Sequence, residues 1–361
     1  MMTLPMMILL NSFLICVGMI ACLQRLAPRL GLLDLPSGRK QHEGAVPMVG
    51  GIAIFVALTL SVLLGPRVEG SLVPFFAGLA LLVALGVIDD RNGMDAWVKL
   101  LGQIVATLVM VMPDQTTTVA HLGDLLGWGV IALESAALPL TVLFVVASIN
   151  AFNMIDGLDG VAGGVAGVSL LWLATVAALE GRMDLMTLAL TLACALSGFL
   201  LFNLRHRWRS RAEVFLGDAG SMMIGAVLAF LAVRLSQGPQ GAGAAPAALL
   251  WIMALPGIDM ISVILRRLAG RRSPFAADRI HLHHVLLDCG FSPRVAAFIL
   301  IALAFLLGGG GLLGVALRLP DYVMFWSLAL PVAGHSWFVL AGWKGVRLPA
   351  RNTIALRERV S

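Results

Sequence analysis

Eleven apolar stretches, each long enough to cross the roughly 30 Å of hydrocarbon in a lipid bilayer, constrain the fold of this chain more than any other feature. The chain has 361 residues, of which 59% are hydrophobic and only 12% are charged, and its mean hydropathy is +0.94. Because a helix satisfies its own backbone hydrogen bonds in lipid, we predict an all-α, polytopic membrane protein with about eleven transmembrane helices. The stretches lie near residues 5–24, 47–65, 71–88, 97–113, 136–152, 160–179, 185–203, 219–236, 246–265, 295–317 and 322–342.

This composition predicts one integral-membrane domain over residues 1–361, which includes a basic loop at 266–294 and a basic tail at 343–361. The four cysteines have no paired spacing, so neither a disulfide framework nor a cysteine-based zinc site is indicated. No nucleic-acid partner is expected, and the sequence leaves open whether the protein is a monomer or a homodimer.

The basic residues predict the orientation of the chain in the membrane. An odd number of spans places the termini on opposite sides, and assigning alternate loops to the cytoplasm puts 21 of the 25 lysines and arginines there. The N-terminus is therefore predicted outside and the C-terminus in the cytoplasm. The same assignment gathers the following residues at the cytoplasmic face: Asp89, Asp90, Asp95, Asp156, Asp159, Asp218, Asp278, His281, His283 and His284. We expect the active site at that face.

A polar stretch at residues 150–160 lies between two apolar runs. Its Asn150, Asn153, Asp156 and Asp159 recur every three residues, and each such step drifts about 60° around a straight helix, which would scatter them. Gly157 and Gly160 permit an unwound turn that gathers these groups around one ligand. Ionisable groups at the membrane are functional by default, although a polar loop between two spans is the alternative.

Adjacent carboxylates end the third apolar stretch. Asp89 and Asp90 repel each other at a low-dielectric edge, which favours one of them as a general base, although acidic span ends are common. Lys99, which begins the fourth stretch, either extends its amine to the membrane surface or binds phosphate.

Two further motifs lie later in the chain. Asp218 is flanked by small residues at a predicted helix start and is either an N-cap or a metal ligand. His281, His283 and His284 lack a fourth ligand at zinc spacing, so we expect them, with Arg279, to hold phosphate or sugar hydroxyls. Asp259 lies deeper, in the ninth stretch. Either Pro256 and Gly257 break that helix so that Asp259 lines the cavity, or Asp259 pairs with a neighbouring polar group.

Carboxylates, a lysine, arginines and histidines thus share one membrane face, without a glycine-rich nucleotide loop of the Walker or Rossmann type. This set indicates a reaction on a diphosphate assisted by Mg²⁺, or by Mn²⁺ in its place. The membrane location indicates that one partner is a lipid of the bilayer.

The segments 150–164, 213–221 and 273–294, the Asp89-Asp90 pair and the stretch 39–51 resemble the polyprenyl-phosphate N-acetylhexosamine-1-phosphate transferase family, glycosyltransferase family 4. The His281-Leu-His-His284 stretch and the Leu286-Leu-Asp-Cys-Gly-Phe-Ser292 that follows it are similar to its WecA/TagO branch, the undecaprenyl-phosphate N-acetylglucosaminyl-1-phosphate transferases, rather than to the branch of peptidoglycan synthesis. The resemblance runs from about residue 28 to residue 300, in the family's order.

The resemblance implies an enzyme of the bacterial cytoplasmic membrane that transfers a sugar 1-phosphate, with GlcNAc as the first choice, from a UDP-N-acetyl sugar to undecaprenyl phosphate. UMP is released, and lipid-linked cell-surface polysaccharide synthesis, such as that of O-antigen or teichoic acid, begins. The matching motifs assign catalysis to Asp89, Asp90, Asp156 and Asp159, the metal to Asp218 and Asn153, and substrate binding to Lys99, Asn203, Arg279, His281, His283 and His284.

One position departs from the family's pattern. The pair is often continued as Asp-Asp-x-x-Asp, but Gly93 occupies the third acidic place and Asp95 follows two residues later, so Asp95 either takes that place through a longer loop or is a surface charge. Direct attack by the lipid phosphate and a two-step route through an aspartyl intermediate both stay open. The alternatives are another UDP-N-acetyl sugar and, in a different class, a transporter or flippase for a lipid-linked or anionic substrate.

Overall fold

The computed structural model describes residues 4–35, 44–64, 72–207, 209–237, 243–271, 273 and 281–344. The described residues are mostly helical, as the sequence predicts for a polytopic membrane protein. They are α1 (Leu4–Leu30), α2 (Gly50–Leu63), α3 (Val73–Asn92), α4 (Ala96–Val111), α5 (Ala137–Ile155), α6 (Val161–Leu179), α7 (Met183–Asn203), α8 (Gly217–Ser236), α9 (Pro246–Ile252), α10 (Ala254–Ala269), α11 (Leu282–Asp288), α12 (Pro293–Ala316), α13 (Asp321–Ser327) and α14 (Ala329–Lys344). Strands β1 (Leu33–Asp34) and β2 (Val46–Pro47) form a short antiparallel ribbon.

Within these ranges, eight helical segments are long and apolar enough to cross a membrane by length and composition, or nine if the bent pair α9 and α10 forms one span. Two further predicted spans coincide with the shorter apolar helices α2 and α4, of 14 and 16 residues. At 1.5 Å per residue these helices cover about 21 and 24 Å, less than the hydrocarbon thickness.

Helix α8 forms the centre of the molecule. Seventeen of its twenty residues are buried, which fits a helix that is apolar on every side. Helices α2, α3, α5 and α6 pack around it. Because the N-terminal end of α8 carries Asp218, this packing decides which groups surround that carboxylate.

The β-ribbon holds the segment that leads into α8. The backbone N–H of Phe215 donates to Pro47 of β2 at 2.8 Å, and Gly50 and Gly51 of α2 donate to the carbonyls of Phe215 and Leu216 at 3.0 and 2.9 Å. Gly217 then turns the chain with φ +70°, a conformation that favours glycine. Asp218 therefore enters the first turn of α8 from a segment fixed on both sides.

The ninth predicted span is broken, but not at the expected residues. Helices α9 and α10 meet at an angle of 79° around Met253, whereas Pro256 and Gly257 lie inside the first turn and a half of α10. The proline ring excludes the carbonyl of the residue four positions earlier, here Ile252, which explains why the helix ends upstream of Pro256. Asp259 follows on α10, directed at two histidines from other elements.

Candidate active site

A cavity of about 390 Å³ lies where the end of α3, the end of α5, the end of α7 and the start of α8 meet. Its polar wall is dominated by carboxylates. The acidic and amide side chains that line it are those of Asp34, Asp90, Asn153, Asp156, Asp159, Asn203 and Asp218. Sequence-distant groups from four predicted spans are thus brought to one place; all of them except Asp34 belong to the motifs that the sequence analysis singled out.

The Asp218 carboxylate is the centre of this cluster. Its Oδ1 accepts a hydrogen bond from Nδ2 of Asn153 at 2.8 Å, and its Oδ2 contacts the ammonium group of Lys99. The same ammonium lies 2.8 Å from Oδ2 of Asp89. Asn153 Nδ2 also approaches Ser221 Oγ at 2.9 Å. The ends of α3 and α5 and the starts of α4 and α8 are therefore joined through a set of charges in which one lysine bridges two carboxylates.

The two adjacent carboxylates on α3 have different partners. Asp89 faces Lys99, whereas Asp90 accepts the backbone N–H groups of Asp218 at 2.9 Å and Ala219 at 3.4 Å. Asp90 therefore caps α8 from a neighbouring helix and stabilises the positive end of its dipole. This contact fixes the distance between the acidic pair and Asp218.

The polar stretch after α5 unwinds at the predicted glycines. Helix α5 ends at Ile155, and Gly160 has φ +82° before α6 begins. Asn153 and Asp156 line the cavity, but Asn150 does not, since its Nδ2 donates to Gln103 Oε1 at 2.7 Å. Three of the four polar groups are gathered as expected, and Asn150 instead ties α5 to α4.

Asp156 has no hydrogen-bond partner among the described residues. Burial, followed by the nearby carboxylates of Asp218, Asp90 and Asp159, raises the pKa of Asp156 to about 8. A carboxyl group with a pKa near neutrality can either give or accept a proton, and a cation placed nearby would favour its ionised form.

Asp159 and Asn203 hold the loop between α7 and α8. Oδ2 of Asp159 lies 2.6 Å from Nε of Arg205 and accepts the backbone N–H of Ala212 at 3.2 Å. The carboxamide of Asn203 accepts from Gly160 N at 2.7 Å and donates to the carbonyl of Val214 at 2.8 Å. Both side chains line the cavity, yet their polar atoms bind neighbouring loops.

The histidine helix α11 packs against the cavity from the other side. His283 is buried, and a β-carbon at Gly157 would lie 2.5 Å from its Cε1 atom, so the ring lies directly against this glycine. Burial, with the neighbouring His284 and His281, lowers the pKa of His283 to about 3, which makes the ring neutral at physiological pH. Arg279, and the basic stretch at 38–42, lie outside the described residues.

The oxygen donors of this site fit Mg²⁺. Asp218 and Asn153 both line the cavity, and the carboxylate of the first and the amide oxygen of the second both contact Lys99. Mg²⁺ takes one or two protein carboxylates, completed by water and phosphate oxygens. The part of the chain that the structure describes contains no group of three histidine, cysteine or acidic side chains with metal-binding geometry. A cation here would thus depend on substrate oxygens for much of its coordination.

Comparison with known proteins places the chain in a family. A family model described as glycosyl transferase family 4 matches residues 72–236. The chain is 32% identical over 353 residues to the undecaprenyl-phosphate alpha-N-acetylglucosaminyl 1-phosphate transferase of Salmonella typhi. This alignment covers 97% of the chain and 95% of the relative. Proteins with the same name from Yersinia pestis and Escherichia coli strain K12 are also 32% identical, with the same coverage. The chain belongs to glycosyl transferase family 4.

In this family 4 protein, two residues in or beside the site, Asp34 and His335, were not predicted from the sequence. Asp34, which ends β1, lines the cavity, and the only sequence signal for it is a carboxylate that directly follows two leucines after the first apolar stretch. His335 comes from α14, beyond the motifs that carry the resemblance; with His281 it is the polar neighbour of the buried Asp259, which is the second of the two alternatives that the sequence left open for Asp259. Asp95 is the N-cap of α4, where it accepts Trp97 N at 2.9 Å.

The Asp159–Arg205 contact predicts a measurable coupling between these two residues. In a double-mutant cycle of Asp159→Asn and Arg205→Gln, we expect a coupling free energy of about 1–2 kcal/mol, between the values of exposed and buried pairs. The cycle is measured by unfolding the purified protein in mixed detergent micelles.

The neighbouring Arg209–Glu213 pair serves as the matched control. It lies in the same loop at 3.0 Å, but the Glu213 side chain is 48% exposed against 11% for Asp159. We expect its coupling to stay below about 0.5 kcal/mol. Equal couplings for the two pairs would show that Asp159 does not anchor the loop.

Proposed function

We propose that this protein transfers N-acetylglucosamine 1-phosphate from UDP-N-acetylglucosamine to undecaprenyl phosphate and releases UMP. The observation that carries the proposal is the contact set of Asp89, Lys99, Asn153 and Asp218, of which Asn153 and Asp218 line the cavity. The chain also matches undecaprenyl-phosphate alpha-N-acetylglucosaminyl 1-phosphate transferases over nearly its whole length. Lys99 lies between the carboxylates of Asp89 and Asp218, and Asp218 with Asn153 could hold a metal ion. A lysine and a metal ion side by side are suited to binding a diphosphate.

The chemistry is a displacement at phosphorus. An oxygen of the lipid phosphate attacks the β-phosphorus of the UDP-sugar, a bond forms between them, and the bond from the β-phosphorus to the bridging oxygen breaks, which leaves UMP. Asp89 or Asp90 accepts the proton of the attacking phosphate where it carries one. Mg²⁺ held by Asp218 and Asn153 would polarise the diphosphate and neutralise charge that develops on the leaving group.

The remaining side chains bind and orient the substrates in this proposal. Lys99 contacts the diphosphate, and Asp156 exchanges a proton within the cavity. His283 offers a neutral ring for hydrogen bonding, beside His281, His284 and Arg279. Asp159 and Asn203 act by holding the loops that form the cavity wall, which their contacts with Arg205, Gly160 and Val214 support.

We further propose that the site faces the cytoplasm of a bacterial inner membrane, with the N-terminus outside and eleven spans in one domain over residues 1–361. The basic residues support this orientation. A continuous set of buried apolar side chains from Cys16 on α1 to Val339 on α14 supports the single domain. The lipid product would begin the synthesis of a cell-surface polysaccharide.

The test is UMP release by the purified, detergent-solubilised protein given undecaprenyl phosphate, Mg²⁺ and a panel of UDP-sugars. We expect turnover with UDP-N-acetylglucosamine that stops on addition of EDTA and returns with excess Mg²⁺ or Mn²⁺. Turnover with a different UDP-N-acetyl sugar alone would keep the reaction and change the donor. The absence of UMP with every donor, in protein that still binds the lipid phosphate, would refute the proposal.

A further inference from the structure

Asp259 is a buried carboxylate with three hydrogen-bond donors. It is 2% exposed, and it accepts hydrogen bonds from Nδ1 of His281 at 2.9 Å, from the backbone N–H of Leu282 at 3.0 Å and from Nε2 of His335 at 3.1 Å. A buried carboxylate needs such partners, because an unpaired charge is costly in an apolar surrounding. The three donors fix both of its oxygen atoms.

These donors connect three elements that are separate in the sequence. Asp259 lies on α10, just after the break in the ninth span, while His281 and Leu282 begin α11 and His335 lies on the last helix, α14. Helix α11 has only seven residues, and its own N-cap position makes no side-chain capping bond. Since so short a helix is not stable alone, its position depends on the contacts that Asp259 makes with its first turn.

The histidine rings of α11 and its N-cap connect Asp259 to the cavity. The rings of His281 and His283 are stacked, with centroids 5.5 Å apart and an interplanar angle of 10°, and His284 lies 4.1 Å from His283. The His283 ring in turn lies against Gly157, which lines the cavity. A change at Asp259 would therefore disturb a packed row of rings that reaches a residue of the cavity wall.

The hydrogen bond to Asp259 also orients the imidazole ring of His281. With Nδ1–H directed at the carboxylate, Nε2 is the nitrogen left to face other groups, as in other carboxylate–imidazole pairs. His335 binds Oδ1, the same oxygen that accepts Leu282 N, so it holds the carboxylate in the orientation that His281 requires.

We propose that Asp259 and His335 are positioning residues of the transfer reaction, which hold the histidine helix α11 against the active-site cavity so that its imidazoles meet the UDP-sugar. This inference rests on the proposed function. Neither residue lies within 72–236, the part that the family model matches. Stability alone does not require this arrangement, since buried charge clusters are often replaceable by apolar groups without loss of stability.

The first experiment compares steady-state kinetics of Asp259→Asn, His335→Leu and His335→Gln in the full-length protein. We expect Asp259→Asn and His335→Leu to raise KM for UDP-N-acetylglucosamine at least about tenfold, the effect of losing a hydrogen bond to a charged group. KM for undecaprenyl phosphate should change by less than about twofold, because Asp259 lies behind the histidines. Glutamine places an N–H near the Nε2 position, so His335→Gln should stay within about threefold of the wild type.

A second measurement reports the position of α11 without using activity. Cys289 directly follows α11, and the structure gives it as a free, partly buried thiol. In a background where the other three cysteines are replaced by alanine, we expect maleimide to label Cys289 faster in Asp259→Asn and His335→Leu, and at the wild-type rate in His335→Gln. Asp114→Asn is the matched control. The Asp114 carboxylate also accepts hydrogen bonds, from Thr116 and Arg234, but it lies near the C-terminal end of α8, which is the end opposite Asp218.

Each outcome bears on one claim. An unchanged KM for the UDP-sugar in the first two variants, or equal defects in His335→Gln and His335→Leu, would overturn the positioning role. Faster labelling without a change in KM would leave a purely structural contact and would also overturn it. A wild-type protein that releases no UMP from any donor would instead refute the proposed function, and the labelling rates would then still test the position of α11.

Discussion

Replacing Asp218 with asparagine is expected to lower the rate of UMP release at least about 10³-fold while the protein stays folded. The carboxylate holds Lys99 and Asn153 at once, and under the proposed function it is the charged ligand of Mg²⁺. Asparagine has the same shape but carries no charge, so it binds the cation weakly and no longer neutralises the Lys99 ammonium, which keeps its contacts with Asp89 and Asn153. Loss of a metal that stabilises developing charge costs several kcal/mol in the transition state.

The control for this substitution is Asp184→Asn. Asp184 lies in the first turn of α7, where its contact with Arg182 is 3.5 Å long, and it is remote from the cavity. We expect wild-type turnover from it, and thermal unfolding of both variants within a few degrees of the wild type. More than a tenth of the wild-type rate in Asp218→Asn at saturating Mg²⁺ would contradict the metal assignment.

The sequence could predict which residues belong to the active-site cluster, because each of them is marked by a signal in the residues around it. Asp89, Lys99 and Asp218 lie at span ends, which the distribution of basic residues places on one face, and Gly157 and Gly160 indicate the break that brings Asp156 to the cavity. These signals depend on neighbours within a few residues. They predict which groups share a face, and the structure joins Asp89 and Asp218 through Lys99, with Asp156 and Asp218 lining the same cavity.

The partners within the cluster could not be predicted, because they depend on how the helices are rotated and how closely they pack. Nothing in the adjacent pair tells that Asp89 faces Lys99 while Asp90 caps α8. Nor does the three-residue spacing tell that Asn150 turns to Gln103. The same holds for Asp259, whose partner His335 lies 76 positions later in the chain.

Close helix packing around the start of α8 depends on glycines that carry no chemistry of their own. A β-carbon at Gly86 of α3 would lie 2.7 Å from the carbonyl carbon of Asp218 and would clash with the backbone of Ala219. One at Gly51 of α2 would meet the backbone of Gly220. Such small residues let helix backbones approach in membranes, and here the approach brings Asp90 to the N–H of Asp218 at 2.9 Å.

Gly86→Ala is therefore expected to lower UMP release by about 10²-fold and to destabilise the protein by about 1–3 kcal/mol. One added methyl group must push α3 away from α8, because the atoms that it meets are backbone atoms that cannot rotate aside. The acidic pair then moves relative to Asp218, and displacement of reacting groups by about 1 Å costs on the order of 10²-fold in rate. The measurements are the rate of UMP release and the midpoint of thermal unfolding.

Gly167→Ala, on α6, separates this effect from the general effect of a glycine replacement in a helix. Nothing lies within 4 Å of a β-carbon at Gly167, so alanine there should leave turnover unchanged and raise stability slightly through its better helix propensity. If Gly86→Ala retained full activity, the distance between α3 and α8 would not control the reaction. Loss of activity in both variants to the same degree would show that helix flexibility, and not the approach of Asp90 to Asp218, is what the glycine supplies.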